Sequence, residues 1–193
     1  EEEAWGYSPA VDHPNVLAIP AGEERGEDGY PIRQYPVYAQ SRNRFVTPRA
    51  DNYGFAAWVA ENAEALVKVL GPGRHYGEWW GHGIQRGYGL AKGDRRFSLF
   101  NVHRWDSLVT TDFGLSVVPV LATASDDVWL GDLATIVESE LIGLRSYGSV
   151  AAPGFDRPEG VIVYHSRSSQ VFKAFVDDIA QAAERALRIL EAA

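Results

Sequence analysis

Apolar residues recur at helical spacing in three stretches of the chain. The first stretch begins after Asp51, a candidate helix-capping residue, and ends at Gly71. The second lies between about Trp129 and Arg145, and the third begins near Phe175. Their apolar positions are Phe55, Trp58, Val59, Leu66, Val69 and Leu70; then Leu130, Leu133, Val137, Leu141 and Leu144; then Phe175, Ile179, Ala182, Ala186 and Leu190. This spacing predicts three amphipathic helices.

Between these stretches the pattern changes to period two, which is typical of strands. The predicted strands are HYGEWWG (75–81), RRFSLFNVHRW (95–105), LSVVPVLATA (115–124) and GVIVYHS (160–166), with a turn at 166–170 and Phe172 in a further strand. Two short strands, VLAIP (16–20) and PVYAQ (36–40), lie among proline-rich loops. Strands and helices in this order predict one mixed α+β domain.

Size and composition restrict the class of protein. A chain of 193 residues with 46% hydrophobic content is enough for one domain with a single core. No run approaches the roughly 18 to 20 apolar residues of a membrane helix, and the acidic start lacks a signal-peptide pattern. We therefore expect a soluble, cytoplasmic protein with no membrane partner. The absence of cysteine excludes disulfides, thiolate metal sites and a cysteine nucleophile.

The formal net charge of -8 argues against non-specific wrapping of nucleic acid, which depends on phosphate neutralisation by Lys and Arg. The chain has three lysines, and its arginines include two groups: Arg42, Arg44 and Arg49, and then Arg86, Arg95 and Arg96. Each group is compatible with a local phosphate-binding cleft and equally with an ordinary solvated face.

Four segments place charged residues where a strand should bury its neighbours. They are SRNRF (41–45), YGEWWG (76–81), PEGVIVY (158–164) and VFKAF (171–175). A desolvated ion without a partner costs several kcal/mol, so these side chains need partners or a ligand. If they converge, they form a cleft with cations for phosphates, carboxylates for a metal or a ribose hydroxyl, and aromatic rings for a base.

The order of these segments resembles a known family. YGEWWG, FSLFNV, EGVIVY and the FK of VFKAF resemble motifs III, IIIa, IV and V of the covalent nucleotidyltransferase superfamily, and specifically of small ATP-dependent RNA ligases. The upstream SRNRFVTPRADNYGFAAWV resembles the segment that follows the nucleophile motif in those ligases. The resemblance covers about Ser41 to Phe175. Five segments in order are far more specific than EGVIV alone.

The resemblance implies a role for each matching residue. Glu78 would accept a hydrogen bond from the ribose of adenosine, and Phe100 would stack on adenine. Glu159 would hold Mg²⁺ or Mn²⁺. Lys173 would contact the α-phosphate, and Arg42 would contact a phosphate or the terminal ribose of the bound strand.

The resemblance also implies the activity and the fold. Such ligases form a lysyl-AMP intermediate from ATP, transfer AMP to a 5′-phosphate, and seal that end to a 3′-hydroxyl in RNA repair. The expected fold is an α+β nucleotidyltransferase domain spanning residues 1–193, with an ATP-grasp-like cleft of antiparallel sheets flanked by helices and no separate C-terminal domain. Expected partners are ATP or AMP and RNA ends, with DNA or an RNA–DNA hybrid left open, as is the oligomeric state.

The sequence departs from the family at the nucleophile, which belongs to a Lys-x-Asp-Gly motif. The comparable string EEEAWG places Glu3 in the lysine position, and Lys68, Lys92 and Lys173 do not fit the motif. A carboxylate cannot form the phosphoramide. Three explanations stay open: the nucleophile segment or a modified lysine is absent from this string, Glu3 is an inactivating replacement, or the chain is an inert relative that binds nucleotide or RNA ends.

Each candidate also has an ordinary structural interpretation. Glu78 alone fits an edge-strand charge facing water, Lys173 fits a snorkelling side chain, and Glu159 fits the cap of a turn. Phe97 and Phe100 do not alternate on one face, so at least one of them should lie in the core. The joint occurrence of the segments is what favours the functional interpretation. The histidines show no metal-ligand spacing, and GHGIQRGYG lacks the ending of a P-loop.

Overall fold

The computed structural model describes residues 15–18, 36–51, 53–125 and 130–179. These residues form an α+β structure that divides into two compact units, with the boundary between Trp79 and Trp80. The elements are β1 (Ala39–Gln40), β2 (Phe45–Val46), α1 (Phe55–Glu61), α2 (Ala63–Leu70), β3 (Gly77–Gly81), β4 (Arg95–Leu99), β5 (Leu115–Val117), α3 (Leu130–Tyr147), β6 (Gly160–His165) and β7 (Gln170–Phe175). The expectation of a single domain stays a prediction.

The first unit begins with a short antiparallel hairpin. Strands β1 and β2 pair through Ala39 with Val46 and Gln40 with Phe45. The turn between them is closed by Ser41, whose backbone N–H and hydroxyl both donate to the carbonyl of Arg44, at 2.8 and 3.1 Å. The two short strands predicted upstream are represented by one antiparallel bridge, between Ala18 of the first and Val37 of the second. Residues 19–35 lie outside the described part of the chain.

The helix predicted after Asp51 is present, but it is two helices, and the prediction of one continuous helix was wrong. The chain breaks at Asn62, whose φ of -106° and ψ of 15° are not helical. The side chain of Asn62 donates to the carbonyl of Trp58 at 2.8 Å, and the backbone N–H of Asn62 donates to the same carbonyl at 3.0 Å. The N-cap position of α1 is Gly54 and not the predicted Asp51, but the carboxylate of Asp51 accepts the N–H of Ala56 in the first turn. Helix α2 stops at Gly71 as expected.

The two helices bury one apolar face within the first unit. The buried residues of this unit are Ala39, Val46, Ala56, Val59, Ala63, Leu66 and Leu70. Trp79 packs against Phe55 and Trp58, with ring centroids 5.5 and 5.1 Å apart, and its indole N–H donates to the carbonyl of Tyr53 at 3.0 Å. The aromatic residues therefore extend this core to the start of β3.

A three-stranded sheet has the order β3–β4–β5. Strands β4 and β5 are parallel, pairing Phe97 with Leu115 and Leu99 with Val117, which corrects the expectation of purely antiparallel sheets. A parallel pair needs a long connection, and residues 100–114 provide it as a series of turns. Both strands are shorter than their period-two patterns, since β4 stops at Leu99 and β5 at Val117.

The helix predicted from Trp129 to Arg145 is confirmed as α3. Its buried residues Val137, Leu141 and Leu144 pack against Ala174 and Val176 of the chain that follows it. A second core therefore lies between α3 and the last two strands.

No helix in the described ranges is both long enough and apolar enough to cross a bilayer.

Strands β6 and β7 form an antiparallel hairpin in which Ile162 pairs with Lys173 and Tyr164 with Val171. The turn predicted at 166–170 joins them at residues 166–169. Phe175 is the last residue of β7, so its assignment to the closing helix was wrong. The remaining positions of that predicted helix, from residue 180 on, lie outside the described residues.

Candidate functional site

The start of the β6–β7 hairpin fixes the position of Glu159. The carbonyl of Glu159 accepts the N–H of Val176 at 2.9 Å, and Gly160 pairs with Phe175. Gly160 has a φ of +156°, and a Cβ at this position would lie 1.8 Å from the carbonyl oxygen of Ala174. Only glycine allows the two strands to approach this closely. The glycine of EGVIVY thus places the preceding carboxylate against β7.

Glu159 and Lys173 meet at this point. The ammonium of Lys173 donates to Oε2 of Glu159 at 2.6 Å. The side chain of Glu159 is 25% exposed and that of Lys173 is 45% exposed, so both remain accessible to a ligand. The ammonium also lies 5.0 Å from the ring centroid of Phe175. Two of the predicted site residues, from different motifs, therefore form one ion pair.

A second cation, which the sequence analysis did not assign to the site, contacts the same carboxylate. Nε of Arg86 lies 3.5 Å from Oε1 of Glu159, and its Nη1 donates to the carbonyl of Arg157 at 3.0 Å. The hydrogen bond from Lys173 and the positive charges of Lys173 and Arg86 lower the pKa of Glu159 below its ordinary value of 4.5, against an opposing effect of burial. Glu159 is therefore ionised at neutral pH.

The loop that carries Arg86 is held by aromatic packing. Tyr88 packs on Trp80 and Phe155, with centroids 5.6 and 5.1 Å apart, and the indole N–H of Trp80 donates to the hydroxyl of Ser98 at 2.8 Å. Glycine at position 81 allows the loop to leave β3, because a Cβ there would lie 2.6 Å from the carbonyl oxygen of Asp94. These contacts account for Trp80, Gly81 and Tyr88 of the segment GEWWGHGIQRGYG.

The same loop contains two non-glycine residues with positive φ, Gln85 at 44° and Tyr88 at 50°. Such conformations cost about 1 to 3 kcal/mol each unless the surroundings compensate. The packing of Tyr88 compensates for its own strain, but Gln85 is exposed. An ion pair as exposed as that of Arg86 and Glu159 contributes about 0 to 1 kcal/mol. The loop therefore takes its conformation mainly from the packing of Tyr88 and the buried Ile84, and the ion pair of Arg86 adds little to its stability.

The outer face of the β6–β7 hairpin is apolar and exposed around Lys173. Ile162 is 61% exposed, Tyr164 58% and Val171 60%. Ile162 is the cross-strand partner of Lys173. An exposed apolar surface therefore lies beside the ammonium of Lys173 on this hairpin.

The other predicted site residues are divided between the two units. Phe100 follows β4 in the second unit and is 51% exposed, whereas Phe97 is 8% exposed. This confirms the expectation that one of these two phenylalanines lies in the core. Arg42 is exposed in the turn between β1 and β2, and Glu78 is exposed on β3; both belong to the first unit. The contact shown among the five predicted residues is that between Glu159 and Lys173.

The donor set for a divalent metal is small. Among the described residues no group of three or more His, Cys, Asp or Glu side chains is placed to hold an ion. Glu159 offers one carboxylate, and the phosphates of a nucleotide would have to supply further oxygens, as is usual for magnesium. The position expected for the nucleophile, near Glu3, lies outside the described residues.

Comparison of the chain with protein-family models, curated proteins and solved structures finds no match. The resemblance to RNA ligases therefore depends on the five sequence segments alone.

Proposed function

We propose that the protein is an ATP-dependent RNA ligase that forms a lysyl-AMP intermediate and joins 5′-phosphate to 3′-hydroxyl ends. The observation that most directly supports this proposal is the contact between Glu159 and Lys173 at 2.6 Å. The motifs that contain these residues are separated by a strand and a turn, and each residue was selected from the sequence for a role at the phosphates.

The proposed reaction has three steps. A lysine amine attacks the α-phosphorus of ATP, forming an N–P bond and releasing pyrophosphate. The oxygen of a 5′-phosphate then attacks the same phosphorus and releases the lysine. Finally a 3′-hydroxyl attacks the activated 5′-phosphate, and AMP leaves.

In this reaction Lys173 stabilises the negative charge that develops on the α-phosphate. Its ammonium has three donors, and the half-exposed side chain can direct one of them to a ligand. A bound Mg²⁺ or Mn²⁺ would supply further positive charge to the phosphates, and Glu159 is the residue that would hold it. The exposed face at Ile162 offers an apolar surface to the nucleoside beside that phosphate.

The remaining roles follow the resemblance. Phe100 presents an exposed ring for adenine, and Glu78 presents an exposed carboxylate for the ribose hydroxyls. Arg42, in the exposed turn of the first hairpin, would bind a phosphate or the terminal ribose of the RNA strand.

A catalytically inert module that binds nucleotides or RNA ends is the second candidate. It is favoured by the sequence at the expected nucleophile, where Glu3 occupies the lysine position of the motif. Such a module would use the same cations and the same apolar face to bind, without forming a covalent bond to the ligand.

Incubation of the full chain with α-labelled ATP and magnesium, followed by denaturing electrophoresis, tests the proposal. A ligase gives a labelled protein band, and peptide mapping of that band identifies the adenylated lysine. Retention of ATP without a labelled band would establish the inert module instead.

Variants of Lys173 make the test specific. Lys173→Ala should abolish the label, whereas Lys92→Ala, which removes an exposed lysine from a turn, should leave it unchanged. Lys173→Arg keeps the charge and removes the amine, so a labelled Lys173→Arg protein would show that Lys173 acts on the phosphate and is not the nucleophile. An unchanged label in Lys173→Ala would remove this residue from the site.

A further inference from the structure

Three charged side chains, those of Arg86, Glu159 and Lys173, meet at the start of the β6–β7 hairpin. Glu159 contacts Lys173 at 2.6 Å and Arg86 at 3.5 Å, so two cations surround a single carboxylate. The side chains of Arg86 and Lys173 are 44% and 45% exposed. The group therefore has an excess of positive charge with both cations open to solvent, which is the electrostatic condition for binding an anion.

Arg86 is oriented independently of the carboxylate. Its Nη1 donates to the main-chain carbonyl of Arg157 at 3.0 Å, while Nε faces Glu159. The backbone beside Arg86 is held by the packing of Tyr88 on Phe155. The hydrogen bond to the carbonyl of Arg157 can therefore persist when a ligand replaces Glu159 at Nε.

We propose that Arg86 is a second phosphate-binding residue of this site, and that it binds the β- and γ-phosphates of a nucleoside triphosphate while Lys173 binds the α-phosphate. This inference rests on the proposed nucleotide site. A planar guanidinium donates two parallel hydrogen bonds to phosphate oxygens, a geometry that the ammonium of Lys173 cannot provide. When Nε of Arg86 contacts a phosphate instead of the carboxylate, Glu159 keeps Lys173 as its cation. The carboxylate would then be the side chain that could help to hold a divalent metal ion beside the phosphates.

Binding of inorganic tripolyphosphate, ATP and adenosine to the full chain, measured by calorimetry, tests this role. Arg86→Ala should weaken the binding of tripolyphosphate and of ATP about tenfold, the usual scale for one lost charge-assisted hydrogen bond. The affinity for adenosine, which has no phosphate, should not change. Arg86→Lys should bind both phosphate compounds more tightly than Arg86→Ala and less tightly than wild type, because lysine keeps the positive charge but cannot donate the two parallel hydrogen bonds of the guanidinium.

Arg157→Ala is the matched control. This variant removes another exposed arginine, two positions before Glu159. The side chain of Arg157 pairs with Asp156 at 3.7 Å, and its loss leaves in place the main-chain carbonyl to which Arg86 donates. The variant should change the affinity for tripolyphosphate less than twofold. An equal effect of Arg86→Ala and Arg157→Ala would overturn the inference, as would equal losses for adenosine and ATP in Arg86→Ala. If Arg86→Ala loses the circular dichroism spectrum of the folded protein, Arg86→Lys is compared with wild type instead. Wild-type affinity of Arg86→Lys for tripolyphosphate and ATP would then overturn the role of the two parallel guanidinium hydrogen bonds.

The result is separable from the outcome of the adenylation assay, since tripolyphosphate has no adenosine and cannot adenylate a lysine. Arg86-dependent binding of tripolyphosphate by a protein that forms no adduct would support this inference and contradict the ligase. Formation of the adduct by a protein whose affinity for tripolyphosphate and ATP does not depend on Arg86 would support the ligase and contradict this inference. Failure of the wild type to bind either phosphate compound overturns the inference whatever the adduct assay shows.

Discussion

At the scale of single residues, Gly160 determines where the carboxylate of Glu159 lies. Gly160→Ala should lower the free energy of unfolding by about 2 to 4 kcal/mol, because the new Cβ would lie 1.8 Å from the carbonyl of Ala174 and force β6 from β7. Urea denaturation followed by circular dichroism measures this loss.

Gly154→Ala separates the clash from backbone strain. Gly154 also has a positive φ, +89°, but a Cβ there would meet nothing within 4 Å. It should cost about 1 to 2 kcal/mol, the strain alone. A loss for Gly160→Ala no greater than that for Gly154→Ala would show that the two strands do not approach as closely as described.

Protonation of Glu159 should weaken the fold. The hydrogen bond from Lys173 and the charges of Lys173 and Arg86 lower the pKa of Glu159 in the folded protein. Its contribution to stability is then fully present above the ordinary value of 4.5 and is lost as the pH falls through the lower, folded-state pKa. In metal-free buffer, Glu159→Gln should be less stable than wild type at neutral pH, and this difference should shrink in acid.

The exposed Glu138 of α3 provides the control for this measurement. Glu138→Gln also removes one carboxylate and should change the dependence of unfolding free energy on pH by less than Glu159→Gln does. Parallel pH profiles for Glu159→Gln and wild type would contradict the ion pair.

The sequence identified Glu159 and Lys173 because a strand with one charged position requires a partner for it, and they are partners. It named Arg86 only in a group with Arg95 and Arg96 compatible with a phosphate-binding cleft, and did not place it beside Glu159. The position of Arg86 depends on positive φ at Gln85 and Tyr88, and neither residue type signals that conformation. A glycine-rich loop around an arginine was the available signal, and it is weak.

At the scale of elements, apolar spacing located the helices but not their interruptions. The break at Asn62 is a change in the backbone angles of one residue, which leaves the apolar period unchanged. Phe175 fits both a strand and a helix in sequence, and pairing with Gly160 decides for the strand. The parallel pairing of β4 and β5 depends on contacts across residues 100–114, which a local pattern does not contain.

The packing of α3 on the hairpin gives a prediction for this scale. Leu141 is 0% exposed and packs in the core formed with Ala174 and Val176. Leu141→Ala should therefore lower the free energy of unfolding by about 2 to 5 kcal/mol. Ile142→Ala, at a neighbouring position that is 49% exposed, should cost under about 1 kcal/mol. Similar losses for both variants in urea denaturation would place α3 in a different orientation.

At the scale of the whole molecule, the chain is an acidic protein with local groups of cations. The mixed α+β class followed from its alternating periods, whereas the division at Trp79 had no marker in composition. Glu159, Lys173 and Phe100 belong to one unit and Arg42 and Glu78 to the other. Sequence motifs carry no distances, so the five-residue adenylate site remains a prediction to be tested by adenylation.

The net charge of -8 predicts how the protein treats duplex DNA. Non-specific binding of basic proteins has a Kd of roughly 10⁻⁴ to 10⁻⁶ M at physiological salt and comes from phosphate neutralisation. We expect no complex with a blunt duplex lacking 5′-phosphates at about 1 µM protein in a mobility-shift assay at that salt concentration. A shifted complex whose affinity falls steeply as salt is added would show a continuous basic surface and contradict this expectation.

The neighbouring tryptophans of β3 give each unit its own optical reporter. Trp79 packs with Phe55 and Trp58 in the first unit, and Trp80 is buried with Tyr88 and Phe155 in the second. The chain has six tryptophans, so replacing Trp79 or Trp80 by phenylalanine removes the emission of one indole, and the difference from wild type reports on the unit that contains it. Heating this pair in parallel would tell whether the units melt together or in sequence.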